Sequence, residues 1–221
     1  QPACSPSTGT AAPDEPEGPS SASDGECAVP RSGWIWCDDF EEDRLGSYFE
    51  MKDQNGSLAR ADDVGLDESV GMRVRWSPGQ VDAGALHLAV GRSPDGPDGY
   101  RRSVGAHDRD FQALYWRLYL RNQEGWVGGG GKKLSRATVF YTPEHWGQAM
   151  TAHVWSGGPG DEHLMLDPAS GTDEAGNVLA QGYNDNRRWL GQQPSQTPIF
   201  APDRVGSWYC VEAFVRMNDP G

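Results

Sequence analysis

Residues 114–121 constrain the fold more than any other segment, because apolar and polar side chains alternate along them without a break. Leucine and tryptophan hold the even positions from Leu114 to Leu120, and tyrosine and arginine hold the odd positions from Tyr115 to Arg121. Successive side chains of an extended strand point to opposite faces. The pattern therefore predicts a strand with one apolar face in the core of an antiparallel sheet and one aromatic, cationic face in solvent.

The rest of the chain indicates many short strands. Its 221 residues include 29 glycines and 16 prolines, which separate short runs of apolar and aromatic side chains. We predict strands over 34–40, 47–51, 70–76, 84–90, 111–121, 133–141, 148–156, 162–167, 177–181 and 207–217. Strands of this number and spacing predict an all-β fold, a two-sheet antiparallel sandwich or jelly roll of the concanavalin A-like kind.

The last predicted strand carries apolar side chains at both parities, so we expect it to be central and covered on both faces, at least partly. The four residues that follow it, 218–221, read Asn-Asp-Pro-Gly, a turn sequence that normally precedes a partner strand. We therefore expect the sandwich to be truncated at its C-terminus.

Composition divides the chain into two segments. Residues 1–30 are rich in proline, serine, glycine and acidic side chains, which predicts a disordered leader or linker. Residues 31–221 are expected to form one β-sandwich domain. The sequence begins with Gln1 and contains no apolar run of membrane-spanning length, so we expect a processed chain or a fragment and no membrane span.

The distribution of charge narrows the choice of partner. The net charge is −13, yet residues 101–140 carry eight basic and three acidic side chains. A nucleic acid would require a broad positive surface, so we expect no nucleic-acid partner. A local basic strip suits a polysaccharide, including an acidic one. The alternative is an ordinary solvated strand face.

The four cysteines fit disulfides better than a metal site, because no Cys-x-x-Cys motif occurs. Disulfides predict a secreted or cell-surface protein. Of the three possible pairings, the favoured one joins Cys4 to Cys27 and Cys37 to Cys210. Two buried free thiols at Cys37 and Cys210 are the alternative.

Four short motifs carry a resemblance to a known family. They are Trp-Cys-Asp-Asp-Phe-Glu at 36–41, Gly-Gly-Gly-Lys-Lys-Leu at 129–134, Trp-Tyr-Cys-Val-Glu at 208–212 and Asn-Asp-Pro-Gly at 218–221. Together they resemble the laminin-G-like, concanavalin A-like jelly rolls of exported bacterial proteins. More narrowly, they are similar to the alginate-lyase-like polysaccharide lyases of family fourteen.

The resemblance also assigns cleft positions. The family carries Gly-Gly-Lys-Leu-Pro-Gly with its lysine in the substrate cleft, and residues 130–135 read Gly-Gly-Lys-Lys-Leu-Ser, so the cleft lysine is Lys132 or Lys133. The family then carries Ser-x-Arg before a tryptophan, and the closest fit here is Thr151, His153 and Trp155. Its paired cleft tyrosines are absent, because residues 163–167 read His-Leu-Met-Leu-Asp.

The first hypothesis is an extracellular carbohydrate-binding module without chemistry of its own. Aromatic rings stack on sugars and arginines pair with carboxylates. The predicted ligand-binding residues are Tyr115, Arg117, Tyr119, Arg121, Thr151 and Trp155. Glu212 is expected to pair with an arginine such as Arg117. A structural cell-surface module with no sugar ligand is a further alternative.

The runner-up is a polysaccharide lyase, which removes a proton beside a uronate carboxylate and needs a cation, a base and an acid. Lysines 132 and 133 with Arg117 and Arg121 are the candidate cations, His153 the candidate base, and Tyr119 or Tyr115 the candidate acid. A structural or merely exposed histidine is the alternative for His153. Paired carboxylates of glycosidase spacing and serine or cysteine nucleophile motifs are missing.

No cofactor and no metal ligand set is predicted. Asp167 and the loop with Asp173, Glu174 and Asn177 offer oxygen ligands for a structural calcium ion, but an ordinary acidic turn is favoured. The sequence gives no indication of oligomeric state.

Overall fold

The structure is a computed structural model that describes residues 26–29, 31–92, 103–126, 133–140, 147–156, 162–179, 186 and 188–216. The chain divides into two compact units, the first within Ser5–Asp110 and the second within Phe111–Gly221. The regular secondary structure of the described residues is β, in antiparallel sheets, with only short 3₁₀ turns besides, as the sequence predicts. Closure of residues 31–221 into one sandwich stays a prediction, and the predicted leader lies almost wholly outside the described residues.

The first unit contains four short strands. They are β1 (Glu50–Lys52), β2 (Leu58–Ala61), β3 (Gly71–Val74) and β4 (Ala85–His87), with 3₁₀ helices at Glu26–Ala28, Leu45–Ser47 and Leu66–Glu68. Strand β1 pairs with β4 and β2 with β3, both antiparallel. Gly84, with a φ of +113°, precedes β4 where a side chain would collide with Lys52 and Leu58; the backbone there requires glycine.

The predicted strand at 34–40 is wrong. These residues form an irregular loop held by the Asp38 carboxylate, which accepts hydrogen bonds from the Phe40 backbone N–H at 3.0 Å, Tyr48 Oη at 3.0 Å and Arg44 Nη2 at 3.2 Å. The Arg60 guanidinium adds a 2.6 Å bond to the Phe40 carbonyl. Side-chain bonds to a turn compete with strand pairing, which explains the failure of the pattern.

The second unit contains the longer strands. They are β5 (Ala113–Arg121), β6 (Lys133–Phe140), β7 (Gln148–Trp155), β8 (Met165–Ser170), β9 (Arg188–Trp189), β10 (Gln193–Pro194) and β11 (Trp208–Arg216). One sheet has five strands in the order β10-β8-β7-β6, with β9 also paired to β8, and a second sheet is the β5–β11 pair. The predicted strand at 177–181 reduces to an isolated bridge between Val178 and Thr172 in the described residues.

The two sheets of the second unit share one hydrophobic core. Val154 of β7 clusters with Val211 and Ala213 of β11, and Trp116 and Leu118 of β5 pack against the same cluster. The apolar face of residues 114–121 is therefore buried, as the alternation predicts. The side chains at the alternate positions of each strand point away from this core.

The two faces of β11 are covered to different extents. The core-facing parity is covered, whereas on the other side Trp208 and Cys210 are half-buried, Glu212 is exposed and Phe214 is 44% exposed. Among the described residues β11 pairs only with β5. The second face is therefore covered only in part, and the central position of β11 stays a prediction.

The predicted disulfide pairing is also wrong. Cys27 is bonded to Cys37, ten residues away, with a Cα–Cα distance of 5.4 Å. Cys210 is bonded in a disulfide as well, which excludes the alternative of buried free thiols. Cys37 lies in the loop around Asp38 rather than in a strand, so it meets a neighbour in sequence instead of β11.

None of the helices in the described ranges has the length and apolar character needed to cross a bilayer.

Candidate functional site

The register of β5 with β11 assembles an aromatic and cationic surface that we call the outer face. Its four cross-strand pairs are Tyr115 with Phe214, Arg117 with Glu212, Tyr119 with Cys210, and Arg121 with Trp208. All eight side chains have the parity opposite to the residues packed in the core, so they point away from it. The four predicted binding residues of β5 therefore share one face.

An exposed pair of rings lies at one end of the outer face. The ring centroids of Tyr115 and Phe214 are 4.3 Å apart with an interplanar angle of 32°. Tyr115 is 75% exposed and Phe214 is 44% exposed. Cross-strand aromatic pairs stabilise a sheet, yet rings left this open also present flat apolar area to a ligand.

The cations of the outer face lie beside rings. The Arg121 guanidinium carbon is 4.9 Å from the Trp208 ring centroid, and that of Arg117 is 5.7 Å from the Tyr119 ring. Contact with a ring face holds a guanidinium in place. Glu212 lies directly opposite Arg117 in the register, and the ion pair expected between them stays a prediction.

A second row of side chains, the β7 face, lies on the five-stranded sheet and is largely buried. It consists of Thr151, His153 and Trp155 of β7, their partners Thr138, Arg136 and Lys133 of β6, and Asp167 of β8 opposite His153. Val154 of β7 points into the core, so its neighbours His153 and Trp155 point away from it.

A β-bulge places Lys133 on the β7 face. The register shifts between Lys133 and Ser135. The side chains of Leu134 and Ser135, although consecutive, therefore both point toward the core. Leu134 packs against the core cluster, and Ser135 accepts a 3.1 Å hydrogen bond from Trp116 Nε1. Lys133 is thereby brought opposite Trp155, with its Nζ 5.4 Å from the ring centroid.

His153 is the most unusual group of the β7 face. Only 1% of the residue is exposed, its ring centroid is 5.2 Å from that of Trp155, and neither ring nitrogen has a hydrogen-bond partner within the described part of the chain. Burial, followed by the charges of Lys133 and Arg136, lowers its pKa to about 4. The imidazole is therefore neutral at physiological pH.

The pKa of the neighbouring Lys133 is also shifted by its surroundings. Burial of its ammonium group and the charge of Arg136 lower the pKa of Lys133, although the residue as a whole is exposed at the start of β6. Two cations and a neutral, unpartnered imidazole thus face one another on this sheet. A buried polar group without a partner costs about 1–3 kcal/mol.

The predicted site residues therefore fall on opposite sides of the core. Tyr115, Tyr119 and the two arginines of β5 belong to the outer face, whereas Thr151, His153, Trp155 and Lys133 belong to the β7 face. Lys132 lies outside the described residues. Tyr119 and His153, which the lyase hypothesis combines, project from different sheets.

Sequence reasoning missed several members of both surfaces. Arg136 and Asp167 flank His153 only through the register of three strands, and Phe214 and Trp208 join the outer face only through pairing with β5. The alternation of side chains between the two faces of each strand could be predicted from the sequence. Which strands pair, and where β6 has its bulge, could not.

The acidic loop after β8 is closed by its own hydrogen bonds. Asp173 accepts from the backbone N–H groups of Ala175 at 2.9 Å and Asn177 at 2.8 Å, and from Asn177 Nδ2 at 2.9 Å. The Asn177 bonds lower the pKa of Asp173. No group of three metal-ligating side chains occurs in the ranges that the structure describes.

Comparison of the chain with protein-family models, with curated proteins and with solved structures finds no match.

Proposed function

We propose that the chain is an extracellular carbohydrate-binding β-sandwich module that recognises polysaccharide through its outer face. The observation that carries the proposal is the Tyr115–Phe214 pair, two adjoining rings that remain open to solvent on a sheet face. A flat pair of rings matches the apolar face of a sugar ring, and burial of that area favours binding.

The arginines support an acidic and extended ligand. Arg117 lies two residues from Tyr115 and Arg121 lies six residues from it on the same face. At about 3.4 Å per residue these separations are roughly 7 and 20 Å. A chain laid along β5 meets a ring first and then two cations, of which the exposed Arg121 is suited to bind a carboxylate through two hydrogen bonds.

The disulfides support a location outside the cytoplasm. Cys27 and Cys37 are bonded, and Cys210 is bonded too. Such bonds persist in oxidising compartments and are rare in the cytosol. A secreted or cell-surface module would encounter polysaccharides there.

Binding of defined polysaccharides tests the proposal. Isothermal titration with polygalacturonate and alginate, and with the neutral polymer hydroxyethylcellulose, would compare the wild type with Tyr115→Ala and Arg121→Gln. We expect Tyr115→Ala to weaken binding of an acidic polymer at least tenfold, and Arg121→Gln to weaken the acidic polymers and leave the neutral one unchanged. Trp189→Ala is the matched control, since Trp189 is an exposed aromatic residue (54%) on β9.

Two results would overturn the proposal: retention of no polysaccharide by the folded wild type, or an equal loss in Tyr115→Ala and Trp189→Ala. The first result would leave a structural module without a sugar ligand as the remaining hypothesis. The second assigns the loss to general surface properties rather than to the outer face.

A second candidate function is a polysaccharide lyase, because the register places His153 of β7 opposite Arg136 and beside Trp155, which pairs with Lys133. A neutral imidazole accepts a proton, and the two cations would neutralise a uronate carboxylate. Tyr119 is on the other side of the core, so the acid of this reaction would come from another group. Formation of an unsaturated, ultraviolet-absorbing product that His153→Ala and Lys133→Ala both abolish would support this function; a flat trace with uronate polymers would exclude it for those substrates.

A further inference from the structure

Cys210 is a half-buried cysteine in the middle of the outer face. It lies on β11 opposite Tyr119 and is bonded in a disulfide. The chain contains four cysteines, and two of them, Cys27 and Cys37, are bonded to each other. The remaining cysteine, Cys4, is therefore the only partner that the chain offers to Cys210.

Cys4 belongs to the leader and lies outside the described residues. The leader is strongly acidic beyond this cysteine, because residues 5–26 carry five acidic side chains and no basic one. The five are Asp14, Glu15, Glu17, Asp24 and Glu26. A bond between Cys4 and Cys210 would join this acidic segment to the outer face, which carries two arginines.

Arg121 is the cation of the outer face best placed to meet the leader. The residue opposite Cys210 lies two positions from Arg117 and two from Arg121 along β5, which corresponds to roughly 7 Å in each direction. Glu212 stands opposite Arg117 and would repel another carboxylate. Arg121 is exposed, and the residue opposite it carries no charge.

We propose that a disulfide between Cys4 and Cys210 anchors the leader at the outer face, where Glu15 and Glu17 compete with an acidic polysaccharide for Arg121. This inference rests on the proposed function and adds its regulation. The segment from Cys4 to Glu15 can span up to about 38 Å, which is far more than the separation of Cys210 and Arg121 along the sheet requires. A tether of this length raises the local concentration of the competing carboxylates to roughly the millimolar range.

Formation of the bond requires an oxidant of the disulfide class. The thiols of Cys4 and Cys210 lose two protons and two electrons and form one S–S bond, while the S–S bond of the oxidant is reduced to two thiols. The Cys27–Cys37 bond forms by the same exchange in the same oxidising compartment.

Peptide mapping of the unreduced full chain tests the bond. A protease that cleaves after acidic side chains separates Cys4 from Cys27, because five acidic residues lie between them. Mass spectrometry should find the Cys4 peptide joined to the Cys210 peptide, and Cys4→Ala should expose one maleimide-reactive thiol, that of Cys210. A Cys4 that is unpaired or joined elsewhere overturns the proposal, whatever the polysaccharide experiments give.

Contact of the leader with Arg121 can be measured without polysaccharide. In the folded protein the same protease should cleave after Glu15 and Glu17 about threefold faster in Arg121→Gln than in the wild type, the change expected from loss of an exposed ion pair. Arg75→Gln removes an exposed arginine of the first unit and should match the wild type. Equal cleavage rates in the two arginine variants would overturn the contact.

Competition is measured by titration with polygalacturonate. Replacement of Glu15 and Glu17 together by glutamine keeps the disulfide and should tighten binding about threefold or more, since two competing carboxylates are removed. The matched control replaces Asp53 and Asp62, both exposed in the first unit, by asparagine, which changes the net charge equally and should leave the affinity unchanged.

Two results of this titration count against the competition. Equal tightening in the leader variant and in the control would assign the effect to net charge rather than to the leader. Absence of polygalacturonate binding in every variant would refute the proposed function and the competition with it, whereas the peptide map and the cleavage rates would still show whether the leader is anchored at the outer face.

Discussion

Trp116 donates its indole Nε1 hydrogen to Ser135 Oγ over 3.1 Å, and this bond joins the two sheets of the second unit across their shared core. A buried indole N–H needs a partner. The bulge in β6 supplies it by turning Ser135 toward the core.

Substitution Ser135→Ala should therefore destabilise the protein by about 1–2 kcal/mol, because it leaves a largely buried N–H without an acceptor. Urea unfolding followed by tryptophan fluorescence would measure the change. The control Ser207→Ala, at an exposed position of the same unit, should lie within about 0.5 kcal/mol of the wild type. Equal effects of the two substitutions would contradict the role of the Trp116 bond.

His153 should make stability fall with acidity. Its pKa is lowered from 6.5 to about 4 in the folded protein, so the unfolded chain takes up a proton first as the pH falls. The contribution is complete above pH 6.5 and is lost progressively between 6.5 and 4. Between pH 7 and pH 5 we expect a loss of about 2 kcal/mol from this residue.

Urea unfolding at both pH values would check this, with His153→Gln as the reference that lacks the titrating group. The wild type should lose about 2 kcal/mol more than the variant. Parallel losses would mean that His153 titrates normally in the folded state.

The Asp38 carboxylate should be essential to the loop of the first unit. Its side chain is 4% exposed, and Asp38→Ala removes the acceptor for Tyr48, Arg44 and the Phe40 N–H. We expect a loss of roughly 2–4 kcal/mol, since the partners stay partly buried. Asp39→Ala is the neighbouring control, because Asp39 lies 3.6 Å from Arg44 and is more exposed.

The same variant has a spectroscopic readout. Burial first, and then the negative charge of Asp38, raise the pKa of Tyr48. Removal of that charge should lower the pKa of Tyr48 relative to the wild type, seen as tyrosinate absorbance at lower pH. An unchanged tyrosine titration would show that burial alone raises it.

The Cys27–Cys37 bond closes a short loop and should contribute roughly 2–3 kcal/mol by restricting the unfolded chain. Replacement of both cysteines by alanine tests the magnitude in urea. Digestion of the unreduced protein followed by mass spectrometry tests the connectivity: the peptides of Cys27 and Cys37 should be linked to each other, and neither to that of Cys210.

Most of the fold prediction rested on the alternation of apolar and polar residues along single strands. Residues 111–121 and 207–217 were predicted as strands and are Ala113–Arg121 and Trp208–Arg216, because both place apolar residues on one face over nine residues. The short strand Leu58–Ala61 was missed, since its sequence Leu-Ala-Arg-Ala contains no β-branched or aromatic residue.

The candidate sites were harder to predict because they depend on relations between strands. Tyr115 could be assigned to an exposed face from its own strand, but its companion Phe214 is almost a hundred residues away in sequence. His153 could be singled out as a candidate base from the sequence, and its role stays a prediction. Its side of the core depends on which face of β7 carries Val154, and no local pattern reveals that.

The bulge between Lys133 and Ser135 has an evolutionary consequence. The side chains of Leu134 and Ser135 point into the core, while that of Lys133 lies on the opposite side, beside Trp155. Mutations at Leu134 can then be selected for stability of the fold, and mutations at Lys133 for the charge of the exposed position, with little interference between them. A lineage descended from this chain can change that charge by point mutation at the strand's first residue and keep the same interior.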